Sequence, residues 1–177
     1  MKIINYLFLF ITINYSHNVF GQTIGVVNIQ FLIDNNVQYN EKIKEIQVLQ
    51  ETYLEDFKLK ENELKNKLIE IENSKLILND NEINLLIEDY NNQLNNFTII
   101  VEEFNLHFQN QIIIMRENIL KEIIVILQKY ATLNNIDLIL DSTSYLIASN
   151  SLDITEIINE ELKKIKLKLE YKNFEKN

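Results

Sequence analysis

The sequence predicts an α+β protein in which a small β-strand head carries a long antiparallel α-helical hairpin arm. Three observations predict it. A stripe of large apolar residues recurs at three- and four-residue steps through roughly residues 43–133, and it breaks once, near Asn79-Asp80-Asn81. Strand-like runs flank that stripe on both sides. At 1.5 Å per residue, an arm of about 40 residues reaches about 60 Å, which a compact core does not need. The arm is the function, or it carries the function.

Met1-Lys2 supplies one positive charge, Ile3–Ile13 is almost wholly apolar, and a short polar stretch ends at Val19-Phe20-Gly21. That is the order of a secretory signal peptide over residues 1–21, with cleavage expected near Gly21. The apolar run is shorter than the roughly 20 residues that span a bilayer core; the alternative is an uncleaved anchor. Export is therefore expected, with Gln22–Asn177 as the mature chain, one domain's worth by length. The chain contains no cysteine, so neither a lipid-anchored N-terminus nor a disulfide is available. Thin arms bury little surface, and self-association is the simplest further source of stability.

Seventeen basic residues stand against 26 acidic ones, a net charge of −9. No nucleic-acid partner is expected of such a chain. Proline is absent, and Gly25 is the one glycine beyond Gly21. Phosphate loops and dinucleotide-binding turns need several glycines at fixed spacing, so no ATP-driven chemistry is expected. His107 has no second mature histidine and no cysteine beside it, and it reads as a seam-edge residue rather than a metal ligand. No cofactor and no catalytic residue is expected; the scattered Asp and Glu read as solvated helix faces.

The elements follow in order. Thr23–Ile29 is a β-branched apolar run that reads as a buried strand, with Ile24, Val26, Val27 and Ile29 as its body residues. Phe31–Asn36 leads into the outgoing helix, whose seam keeps a seven-residue beat at Ile43, Phe57, Leu64, Ile71 and Leu78. The tip is expected near residues 79–82. The return helix carries Ile83, Ile87, Tyr90, Leu94, Phe97, Val101, Phe104, Phe108, Ile112, Met115, Ile119, Ile123, Ile126 and Tyr130 on one face. Leu133-Asn134-Asn135 is a stop. Ile136–Asp141 is a second strand with Leu138 and Leu140 on one face, Ser142–Ser144 a turn, and Tyr145–Ala148 a third strand. Asp153 and Glu156 form a capping box for a last helix carrying Ile154, Ile157, Ile158, Leu162, Ile165 and Leu169. Lys163, Lys164, Lys166 and Lys168 lie toward its C-terminal end, and residues 171–177 are expected to fray. The head thus comprises residues 22–36 and 134–170, and the arm residues 37–133. Three short strands cannot cover both sheet faces, and pairing around a symmetry axis would close their edges.

The chain resembles the Skp (OmpH-like) periplasmic chaperones, holdases for unfolded outer-membrane proteins of Gram-negative bacteria. Ile24-Gly25-Val26-Val27-Asn28-Ile29 is similar to that family's first strand, Asn135–Asp141 to its second, and Leu152-Asp153-Ile154-Thr155 to the opening of its C-terminal helix. The resemblance spans essentially the whole mature chain. It implies a periplasmic, prefoldin-like "jellyfish" homotrimer, in which a β-barrel-like body hangs three arms around a client cavity. It also implies unfolded outer-membrane proteins as partners, some proximity to the membrane, no cofactor and no catalysis. The chain departs from the family in charge: no Lys or Arg occurs between Lys75 and Arg116, whereas Asp80, Glu82, Glu88, Asp89, Glu102 and Glu103 do. No lipopolysaccharide-binding residue is carried over.

Phe57, Phe97, Phe104 and Phe108 read as hairpin core. Leu86, Ile99, Ile100, Leu106, Ile113 and Ile114 lie off the seam, where a two-helix hairpin has no second layer to bury them. Residues 112–114 are near the head and pack there or at the trimer axis. Ile99, Ile100 and Leu106 are the candidate client-facing residues; lateral contact with a neighbouring arm is the alternative. The competing function is an envelope coiled-coil scaffold whose hairpin tip docks one folded partner.

Overall fold

The structure is a computed structural model that describes residues 21–175; the leader expected over residues 1–21 lies outside them, save for Gly21. It is mostly helical, with two short strands. Strand β1 (Ile24–Val27) pairs in parallel with β2 (Leu138–Asp141), Ile24 against Leu138 through Val27 against Asp141. A parallel pair needs a crossover connection, and here the whole hairpin is that crossover.

Asparagine opens each of the first three helices. Asn28 caps α1 (Ile29–Asp34), its side chain accepting from the Phe31 N–H at 2.8 Å. Asn36 caps α2 (Val37–Ser74), accepting from the Tyr39 N–H at 2.9 Å. Asn79 caps α3 (Asp80–Asn134) in a reciprocal box with Glu82. At its far end α3 stops on Asn135, held in the left-handed region at φ 51°, with the Ile136 N–H returning to the Ala131 carbonyl. The 55-residue α3 is about 80 Å long and the 38-residue α2 about 57 Å. The extra length of α3 runs into the head. There Ile119 and Ile123 are buried with Val27, Leu32 and Ile33, and with Ile158 and Leu162 of α4 (Thr155–Lys163).

Several expectations need correction. Ile29 is not in a strand: it opens α1, because its N–H donates to the Asp141 carboxylate and Asn28 turns the chain into the helix. The turn at the arm tip occupies residues 75–79, because Asn79 serves as a cap and Asp80 is already helical. The third strand at Tyr145–Ala148 does not form. The Asp141 side chain takes the Thr143 N–H and hydroxyl, folding Ser142–Ser144 into a 3-10 turn, and Leu146 and Ile147 stand exposed. β1 instead carries a one-residue bridge between Val26 and Asp153. The expected Asp153–Glu156 capping box does not form either: the Asp153 carboxylate accepts from the Thr155 N–H at 2.8 Å instead, and the Ile154 N–H donates to the Val26 carbonyl. The last helix ends at Lys163, so Ile165 and Leu169 lie beyond it. Nor do residues 171–175 fray, because Tyr171 and Phe174 pack against the hydrophobic core; the rest of the expected frayed tail, 176–177, lies outside the described residues.

Candidate functional site

The arm was the expected site, and its geometry follows from the seam. In α2 the inward residues Ile46, Phe57, Leu64 and Ile71 are buried; in α3, Ile83, Phe104, Phe108 and Met115 are. Where the base of the arm gives way to its outer half, the rings lock edge to face, Phe57 to Phe104 at 5.0 Å, Phe57 to Phe97 at 5.8 Å and Phe104 to Phe108 at 5.0 Å. These phenylalanines are core. Farther out, Lys67 of α2 pairs with Asp89 of α3. The Lys67 ammonium, and then the Gln93 amide, hold the Asp89 carboxyl below its ordinary value.

The three candidate client-facing residues do not share one environment. Ile99 and Leu106, seven residues apart, lie on one outer face of α3 at 43% and 58% exposure, and Ile113 continues that stripe. Ile100 instead turns toward α2, half-buried beside a groove of about 520 Å³ lined by Phe57, Leu59, Lys60 and Phe97. Ile113 and Ile114 remain exposed on the isolated chain. In the body, Val26 and Val27 are buried, Ile24, Ile29 and Leu140 are half-buried, and Leu138 is exposed. Val125, Leu133 and Ile157 line an open apolar cleft of about 590 Å³ between α3 and α4.

Two features were missed by the sequence reading. The first is the tip: Leu76 and Ile77 are 91% and 84% exposed. The second is a strap. After Lys164 the chain runs extended along the base of the arm, burying Leu167, Leu169 and Phe174 against it. Gln38 of α2 donates to the Ile165 carbonyl at 2.8 Å and accepts from the Leu167 N–H at 3.0 Å. Gln111 of α3 accepts from the Lys172 N–H at 3.0 Å, and His107 Nε2 donates to the Lys172 carbonyl at 2.8 Å. The Tyr53 hydroxyl donates to the Phe174 carbonyl at 2.7 Å. The Phe174 ring meets Tyr53, Phe104 and His107 with centroids 5.5–5.8 Å apart. The available signal was the alternation of Ile165, Leu167, Leu169 and Tyr171 with lysines and a glutamate, a period of two.

In the head, burial pushes the Asp141 carboxyl up. Hydrogen bonds from the Thr143 hydroxyl and from the N–H groups of Ile29, Thr143 and Ser142 outweigh it and hold the group below its ordinary value. Among the described residues no cluster of His, Asp and Glu converges to hold a metal ion, and no helix is long and apolar enough to cross a membrane.

A solved structure of a candidate outer membrane chaperone (OmpH-like) from Caulobacter crescentus CB15 has this fold. It superposes with a TM-score of 0.62 over 84% of this chain and 88% of that one, at 11% identity. No curated protein matches the sequence. The family model described as outer membrane protein (OmpH-like) matches residues 23–162, which take in both strands, the hairpin and most of α4. The chain belongs to the OmpH-like family.

Proposed function

We propose that the protein is a nucleotide-independent chaperone of the periplasm, holding unfolded outer-membrane β-barrel proteins between the arms of a homotrimer. The observation that carries this reading is the arm itself. It is a hairpin tens of ångströms long with a stripe of exposed aliphatics, Ile99, Leu106 and Ile113, on a framework that belongs to the OmpH-like family. Many weak apolar contacts along such an arm suit a client with no fixed shape, and their weakness permits release without energy input.

Self-association is favoured by the head. Leu146 and Ile147 stand free beside a two-stranded sheet, and Val125, Leu133 and Ile157 form an uncovered cleft. Residues 22–36 and 134–170 would form the trimer body, with Ile24, Val26, Val27, Leu138 and Leu140 at its strands and Ile29 at the adjoining helix start. The mature chain should delay aggregation of a diluted, unfolded barrel protein without nucleotide, at about one trimer per client. Unchanged light scattering removes the reading, and a monomeric mass removes the cage.

The exposed apolar tip at Leu76 and Ile77 favours a second reading, an envelope scaffold that docks one folded partner. A pull-down that returns one stoichiometric folded protein, rather than a spread of unfolded barrels, would select it.

A further inference from the structure

The strap is held chiefly through its main chain. Every hydrogen bond described from the hairpin's side chains to residues 165–174 goes to the strap's main chain. Gln38 takes the carbonyl before Lys166 and the N–H after it, as a neighbouring β-strand would. His107 and Gln111, one helical turn apart, take both main-chain groups of Lys172. Side chains enter only as apolar payload: Leu167, Leu169 and Phe174 face the arm, while Lys166 and Lys168 face solvent.

A groove that reads main chain through the side chains of Gln38, Tyr53, His107 and Gln111, and side chains mainly through apolar burial at the alternate positions 165–171, is indifferent to exact sequence. It demands an extended segment with apolar residues at every second position. Strands of membrane β-barrels carry that alternation. The groove's side chains on α2 and α3, Gln38, Tyr53, His107 and Gln111, lie within the matched family region, which ends at residue 162, and the strap lies beyond it.

We infer that this groove is a binding site for extended client segments of alternating polarity, and that Ile165–Phe174 is its resident occupant, displaced when a client strand docks. The inference rests on the chaperone reading for the identity of the client, not for the existence of the groove. Because the strap is tethered, it competes at a high effective concentration and screens out weak ligands. A client must therefore offer several alternating apolar residues in a row.

The test uses the full mature chain and a fluorescein-labelled peptide of residues 164–175. The variant Leu169→Asp/Phe174→Asp, which releases the strap and leaves the groove intact, should bind the peptide about tenfold tighter than the wild type, as expected when roughly a tenth of wild-type grooves are open. A peptide of the same composition with its alternation broken should bind worse. A folded variant that takes up the peptide no better than wild type overturns the inference; if circular dichroism shows the double variant unfolded, Phe174→Ala is judged by the same criterion. In the wild type, the amides of Leu167 and Lys172 should resist hydrogen exchange alone and exchange about tenfold faster in an isolated complex with an unfolded barrel protein. Undiminished protection in that complex also overturns it. If no such complex forms, the chaperone reading fails and the peptide measurement alone decides the groove.

Discussion

The base of the arm and its outer half are made from the same two helices, yet only the base has a third layer. At the base, α2 and α3 lie against the strap, and Ile46, Phe104, Phe108 and Met115 are almost wholly buried in one cluster that continues into the head. In the outer half, burial falls to Leu64, Ile71 and Ile83, with half-exposed residues between them, and at the tip Leu76 and Ile77 face water. Two helices alone can bury one narrow seam; any wider apolar face needs something laid across it. The difference makes the base a rigid mount and the outer arm the low-stability end, where local opening costs least.

The largest effect that probes this contrast is cavity formation. Phe104→Ala should destabilise by about 3–5 kcal/mol, and Leu64→Ala in the outer seam by about 2–3 kcal/mol, because a thin seam collapses around a small void more easily than a three-layered one. Both are read from denaturant unfolding at fixed protein concentration. Equal costs would mean that the strap adds no effective layer.

Next comes the mount beneath the base. The Asp141 carboxylate accepts the Ile29 and Thr143 N–H groups, and Asp141→Asn should cost about 1.5–3 kcal/mol, the range for hydrogen bonds to a charged group. Its folded-state pKa is depressed, so this stabilisation is complete above the unfolded value of about 3.9 and fades as pH falls through the folded one. Unfolding midpoints recorded from pH 6 downward should therefore drop more in the wild type than in Asp141→Asn. Parallel curves would detach the effect from this residue.

A smaller change is expected of Gln38→Ala. It removes two hydrogen bonds to the strap and should cost about 1 kcal/mol. Hydrogen exchange should quicken at Leu167 while the amides of residues 83–97 stay as they were. Spread of the effect to those residues would erase the boundary between the two halves. The smallest effect belongs to the outer ion pair. Lys67→Ala should leave the midpoint unmoved in physiological salt, since an exposed pair contributes little there.

Much of this architecture was legible because it rests on short-range rules. The inward stripe of α3 from Ile83 to Tyr130 follows from 3.6-residue periodicity alone, and nearly all of it is buried or half-buried in the structure. The Asn134-Asn135 stop is equally local, since asparagine tolerates the left-handed cap that ends α3. Ile99 and Leu106 could be named as surplus because a two-helix seam leaves no place for them. Ile100 could not be separated from them, as its half-buried place depends on where α2 lies.

By itself, then, the chain determined two long helices, a turn between them, a strand at each of their roots, and a closing helix whose end it placed too late. Each is set by the periodicity and capping of residues near one another in sequence. Only tertiary structure decided three other matters. Tyr145–Ala148 has a strand's composition but finds no strand to pair with. Asp153 has a cap's chemistry, but its carboxylate takes the Thr155 N–H while the neighbouring Ile154 N–H is drawn to Val26, more than a hundred residues away. Ile165 and Leu169 fit a helix, while Ile165, Leu167, Leu169 and Tyr171 fit a strand, and both patterns coexist in the same residues. Gln38 and Gln111, distant in sequence and adjacent in space, settle that ambiguity by pairing with an extended main chain that a helix would have kept for itself.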